Sequence, residues 1–304
     1  MNSITRKLVL SILTVVLTVV ALGTTTFAWF TLTNTAVVQP FQAEITSDTG
    51  IEVALGIPVV DEEDELNWVT TLTTDVIEDY IDAAYGGAFT FTHVTTANAI
   101  DFYTLGTVAM AGTTGGYLTI PLNFRSNSAN RILWSTVSLT SGEAPWQADV
   151  AFTGAKGASY IAGDSVAIDA ADSFRVAVIG NVGGSTNVVG YENPNSTTNV
   201  VLDGDAGVLD LSNGGTIGDN GAMNYFYAKN ATLPFGANAV TVLDTIQALA
   251  ENPVLDLSAS TTSGAAWYGQ VLIRVWLEGW DANAYNSVLG RMITASFVFT
   301  GTTI

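Results

Sequence analysis

Five oxygen-bearing side chains crowd one Gly-rich stretch, "DGDAGVLDLSNGGTIGDN": Asp203, Asp205, Asp210, Asp219 and Asn220. Carboxylates and amides are the hard ligands that Ca²⁺ takes, so the stretch is a candidate calcium site. It does not complete an EF-hand loop, because no Glu stands at the twelfth position. The same residue types also serve a long turn, where Asp, Asn and Gly satisfy backbone geometry. A second constellation joins Arg175, in the apolar run "SFRVAVIG", with Glu278 and Asp281, in "VWLEGWD". An unpaired buried ion is costly, so Arg175 is expected to pair with Glu278 or Asp281 across neighbouring strands as a structural clamp. The alternative is a guanidinium that snorkels to solvent. Trp276 and Trp280 flank Glu278 and are expected to cover a sandwich edge; two exposed, coplanar rings would instead mean sugar stacking.

Other chemistry is scarce. There is no Cys and one His, His93 in "FTFTHVTT". Thiol catalysis and ordinary zinc sites are thereby excluded. A Ser/His/Asp triad would have to use His93, and no "GxSxG" elbow accompanies it. No phosphate-cradling Gly loop is present. A glycosidase carboxylate pair stays open only because acids are plentiful. His93 is expected to be a structural or surface residue, and the chain is expected not to be an enzyme. Calcium is the one cofactor that the residues suggest. Lys plus Arg number 9 against 28 Asp plus Glu, a net charge of −19. That balance opposes nucleic acid, whose binding needs a basic surface, and opposes docking on anionic lipid. Charged residues make up only 12%, so the surface must be built largely from Thr, Ser, Asn, Gly and Ala. Without Cys, packing or assembly must stabilise the chain.

The N-terminus has the parts of a signal sequence: Arg6 and Lys7, then apolar Leu8 to Leu22, then "TTTFA" with small residues preceding a cut after Ala28. A cut after Gly23 is a second candidate. Equally, uncharged Leu8 to Phe30 is long enough to span about 30 Å of hydrocarbon as a retained helix. Both readings stand, so residues 1–28 are a signal peptide or a membrane or core helix, and 29–304 a single domain. Residues 31–47 are β-branched and loosely alternating, which predicts a strand. Pro40 cannot donate to a ladder, which places that strand at a sheet edge or bulge. With Ala28 as the last residue removed, the new N-terminus carries no charge before Glu44, and Thr31, Val37, Val38, Pro40 and Phe41 form a sticky strand that must pair with something. It can fold onto its own sheet, complete the sheet of the next subunit by strand donation, or, with the helix retained, serve as a stalk.

Elsewhere, "IEVALGIPVV", "YLTIPLNF", "ILWSTVSLT", "SFRVAVIG", "GQVLIRVWLEGW" and "MITASFVFT" read as strands. In the last, Ile293, Ala295, Phe297 and Phe299 form one apolar face. "TDVIEDYIDAAYGG" predicts a helix with Val76, Ile77, Tyr80, Ile81 and Ala84 on one face, capped by Thr74 or Asp75 and ended by Gly86. "NAVTVLDTIQALAENP" predicts a second, with Asn238 as cap, Val242, Leu243, Ile246 and Leu249 as its stripe, and Pro253 as its stop. "DEEDEL" reads as a solvated acidic loop. The stretches "GNVGGSTNVVGYENPNSTTN" and "DGDAGVLDLSNGGTIGDNGAMN" read as polar loops, and Asn195 and Asn230 head glycosylation sequons. The sum is an all-β, jelly-roll-like sandwich with two short inserted helices and an N-terminal hydrophobic helix.

"TTTFAWFTLTNTAVV", "SFRVAVIG" and "VLIRVWLEGWDANAYNSVLGRMITASFVFTG" together resemble exported surface proteins of Gram-positive-type bacteria and their wall-less relatives and, more distantly, the TasA/camelysin-type biofilm fibre proteins. The resemblance implies a jelly roll, an export route, self-assembly into filaments and no catalytic residues. The function expected is a secreted or cell-surface structural subunit of a fibre, layer or matrix. A membrane-anchored module, holding calcium or glycan in its Asn/Asp/Gly loops, is the alternative.

Overall fold

The computed structural model describes residues 42–47, 50–87, 89–105, 110–196, 220–231, 242–289 and 291–304. The strands, in chain order, are β1 (Gln42–Ser47), β2 (Ile51–Leu55), β3 (Thr71–Leu72), β4 (His93–Thr96), β5 (Phe102–Leu105), β6 (Met110–Thr113), β7 (Tyr117–Ser126), β8 (Arg131–Thr140) and β9 (Trp146–Gln147). There follow β10 (Phe152–Thr153), β11 (Ser159–Tyr160), β12 (Ser165–Val166), β13 (Phe174–Val182), β14 (Ser185–Glu192), β15 (Asn252–Asp256), β16 (Ser258–Ala259), β17 (Trp267–Glu278) and β18 (Thr294–Thr302). The helices are α1 (Thr74–Tyr85) and α2 (Gly221–Asn230). The protein is an all-β sandwich. One sheet runs β15-β8-β18-β1-β3. The other is centred on β17, flanked by β13 and β7; β14 and β2 lie outside them, and β4-β5-β6 continue beyond the start of β7.

Period-two patterning builds the core. Val271, Ile273 and Val275 of β17 meet Ala295, Phe297 and Phe299 of β18 in one buried cluster. Phe124 stands edge-on to Phe299 across the sheets at 5.1 Å. β2 ends opposite Leu122, next to Pro121, which has no N–H to offer a longer partner. α1 buries Ile77 and Ile81 and ends at Gly86 in the left-handed region (φ 74°), whereas Val76 and Ala84 lie exposed. Its N-cap is Thr73 rather than Thr74 or Asp75. The acidic run Asp61–Glu65 is a largely exposed loop with a short 3₁₀ turn.

Three readings are corrected. The helix predicted from 238 onward is absent over its described part. Residues 242–247 run extended, with Leu243 N–H donating to Thr96 O at 2.7 Å and Ile246 exchanging backbone bonds with Gly190 and Glu192. Sheet-edge hydrogen bonds override a helical stripe here. The second helix lies instead at α2, in the stretch read as loop, with buried residues nearly all round. Likewise "GNVGGSTNVVGYE" is not a loop. Gly183 and Gly184, at φ 62° and 78°, form the two-residue turn of the β13–β14 hairpin. Finally, β1 is an edge strand over only part of its described length, since β3 covers its outer side at Ile45 and Thr46 and leaves Gln42–Glu44 at the edge. It pairs in parallel with β18 from Gln42 to Ser47, and with β3 at Ile45 and Thr46.

Residues 1–28, the Ala28 junction, Thr31, Val37, Val38, Pro40 and Phe41 lie outside the described residues, as do Asp203, Asp205, Asp210 and Asp219. No helix among the described residues is long and apolar enough to cross a membrane.

Candidate functional site

The most concentrated charge in the interior gathers where β13, β14 and the end of β17 meet. The Gly183-Gly184 turn sets the hairpin register and thereby places Glu192 directly opposite Arg175. β13 also pairs with β17, which brings Arg175 beside Trp276. The turn that follows β17 then carries Asp281 back over the guanidinium. Arg175, 1% exposed, donates to Asp281 Oδ2 through Nη2 at 2.6 Å and is ion-paired with Glu192, its Nε 2.7 Å from Oε2. Its Nη1 donates to the carbonyls of Asp172 and Phe174 at 3.0 Å and to Ser196 Oγ at 3.3 Å. Gln247 Nε2 donates to the other oxygen of Glu192 at 3.1 Å, which ties the extended 242–247 segment to the same cluster.

Glu278 is wholly buried but does not bond Arg175. It accepts from Trp276 Nε1 at 3.0 Å and from the Trp280 N–H at 3.1 Å, closing the "WLEGW" turn on itself. Burial pushes its carboxyl up to about 7. Burial also raises Asp281, to about 6, with the facing Arg175 acting against that rise. Trp276 and Trp280 are 0% and 1% exposed, so both rings pack inside and neither offers a sugar-stacking face. Trp276 stands edge-on to Phe102 at 5.6 Å. One guanidinium paired with two buried carboxyls, with a third carboxyl close by, locks three strands and a turn together.

Asn220 belongs to the same corner, while the other four residues of the calcium candidate lie outside the described residues. It caps α2, accepting from Met223 N–H at 3.0 Å and donating to Trp280 O at 2.9 Å. Both ends of its amide are therefore committed to the backbone. No group of three or more His, Asp or Glu among the described residues is placed to hold a metal ion. His93 opens β4, its Nε2 is 3.0 Å from Ala284 O, and desolvation pulls its imidazole down to about 4.

Beside this lock lies a feature that the sequence did not disclose. The paired strands β9–β12 and β10–β11 and helix α2 gather Trp146, Phe152, Tyr160, Tyr225 and Tyr285 into one aromatic cluster. Its margin borders a cleft of about 230 Å³ whose polar lining includes Asp169, Asp172, Asn195 and Asn283. The residues are spread over more than a hundred positions, and only the fold unites them. Comparison with protein-family models, with curated proteins and with solved structures finds no match for this chain.

Proposed function

We propose that the protein is an exported, non-catalytic structural subunit of an extracellular fibre, surface layer or biofilm matrix, which assembles by β-strand pairing of its N-terminal segment. The observation that carries this reading is the half-covered edge of β1. β3 pairs with only Ile45 and Thr46, so the outer flank of Gln42–Glu44 meets no strand among the described residues. The uncharged, β-prone sequence of residues 29–41 leads directly into that flank. A strand with one open side next to an apolar extension is a template for pairing between copies. The likeness of "AWF", "SFRVAVIG" and "WLEGWD" to the TasA/camelysin-type fibre proteins supports the same reading.

Negative-stain microscopy of the secreted protein, with and without residues 29–41, tests it. Filaments or sheets from the intact chain, and a folded monomer from the shortened one, are expected. Filaments that survive the deletion would overturn strand donation. Absence of any assembly by the intact chain would overturn the structural role.

A further inference from the structure

We propose that the cleft bordered by Tyr160, Asp172 and Asn283 is a binding site for a single hexose-sized sugar residue, held through its hydroxyls. The inference is independent of assembly and rests on how this cleft is built. Asn283 is 8% exposed. Its backbone is committed, the N–H to Asp281 Oδ1 at 2.8 Å and the carbonyl to the Tyr285 N–H at 2.8 Å. Its side-chain amide lines the cleft and has no hydrogen-bond partner among the described residues. An amide that no protein group holds and that faces an open cleft is free to bond a ligand's polar atoms.

The surrounding groups narrow the ligand. Tyr160 forms an aromatic wall. Its ring stacks on Phe152 at 5.1 Å and lies so close over Gly154 that a Cβ there would stand 2.4 Å from the ring. Asp169 spends one carboxylate oxygen on the Ala171 N–H, and Asp172 accepts a long 3.4 Å bond from Asn193; both keep acceptor capacity. Burial raises the proton affinity of Asp172. Exposed Lys156 and Asn195 add donors at the rim. Donors, acceptors and one aromatic side chain thus share the lining.

A small anion would meet two carboxylates in this cleft. A bare cation would meet Lys156 at the rim and, from the described residues, two carboxylates rather than a full set of oxygen ligands. A sugar suits the whole lining, because each hydroxyl both donates and accepts while its C–H face rests on the ring. The volume, about 230 Å³, is below that of drug-sized sites and matches one ring rather than a long chain. The ion cluster sets the floor. Arg175 holds the Asp172 carbonyl, and Asp281 holds the Asn283 N–H, so the two polar anchors are fixed before any ligand arrives.

Saturation-transfer NMR on the full chain, with millimolar glucose, galactose, mannose and N-acetylglucosamine and their short oligomers, reads the site directly. Transfer to the ring protons of at least one sugar is expected. Asn283→Leu keeps the volume without the amide, and Tyr160→Ala removes the half-exposed wall. Each is expected to weaken binding at least about tenfold. Tyr160→Ala decides alone if Asn283→Leu does not fold. Absence of transfer from every sugar overturns the proposal, as does binding that the folded variants leave unchanged.

Discussion

Arg175 shows how a single residue can be indispensable without being catalytic. Its charge is desolvated, and two carboxylates and two backbone carbonyls stand in for the lost water. Arg175→Met leaves Glu192, Asp281 and Glu278 facing one another and is expected to lower stability by about 3–5 kcal/mol in chemical denaturation. Arg131→Met breaks the more exposed pair with Asp256 and is expected to cost only about 1 kcal/mol. Equal losses would mean that the buried cluster is no lock. The corner also titrates in two opposed senses. The carboxyl of Glu278 rises from 4.5 to about 7 on folding, so the native state binds the extra proton and this contribution fades as pH climbs from 4.5 through 7. The imidazole of His93 falls from 6.5 to about 4, so the native state refuses a proton and its contribution fades as pH drops from 6.5 through 4. Between about 4.5 and 6.5 the two slopes oppose each other. His93→Gln is expected to uncover the downward slope of Glu278 and Asp281, with stability falling as pH rises across that window, and Glu278→Gln to flatten it, because Asp281, raised from 3.8 to about 6, still opposes His93. Denaturation midpoints at several pH values distinguish a falling profile from a nearly flat one; parallel profiles for both variants would contradict this account.

At the scale of elements, alternation is what made the fold readable. The runs around Ile120, Leu133, Val176, Ile273 and Phe297 all became strands, because a half-buried strand announces itself by period two. The Arg175–Asp281 pair was legible for a related reason: a charge inside an apolar strand demands a partner. Glu192 was equally legible from the Gly183-Gly184 turn, since counting outward along the hairpin puts it opposite Arg175, but a polar, Gly-rich strand reads like a loop. The cleft was not legible. Tyr160, Asp172 and Asn283 come from separate segments, and no local pattern links them. The helical stripe of Val242, Leu243 and Ile246 misled, because local propensity knows nothing of the edge that Gly190 leaves open. A Cβ at Gly190 would stand 2.9 Å from Leu243 Cδ2 and 3.2 Å from Asp244 O. Gly190→Ala is therefore expected to push the 242–247 segment off the sheet edge, with a loss of about 1–3 kcal/mol. Hydrogen exchange should show faster exchange at the Leu243 and Ile246 amides, and unchanged protection there would refute the mechanism.

Across the whole molecule, strong like charge meets an apolar surface. Each copy carries −19, so copies repel one another at long range in dilute buffer. Yet Ile57, Val59 and Val60 project at 79%, 64% and 80% exposure, immediately before the acidic residues Asp61, Glu62, Asp64 and Glu65. Charges placed beside a sticky segment act as gatekeepers that delay contact without stabilising the fold. If copies associate through backbone pairing and apolar contact, the attraction itself is nearly indifferent to salt, while the repulsion is screened. The screening length falls from about 30 Å at 0.01 M to about 8 Å at 0.15 M, shorter than a domain. Assembly followed by light scattering is thus expected to begin sooner as NaCl rises over that range. Glu62→Gln combined with Glu65→Gln is expected to shorten the lag at low salt and to change it little at high salt, where screening already does the same work. A lag that lengthens with salt would mean that opposite charges hold the copies together, and strand pairing would then not be the driving contact.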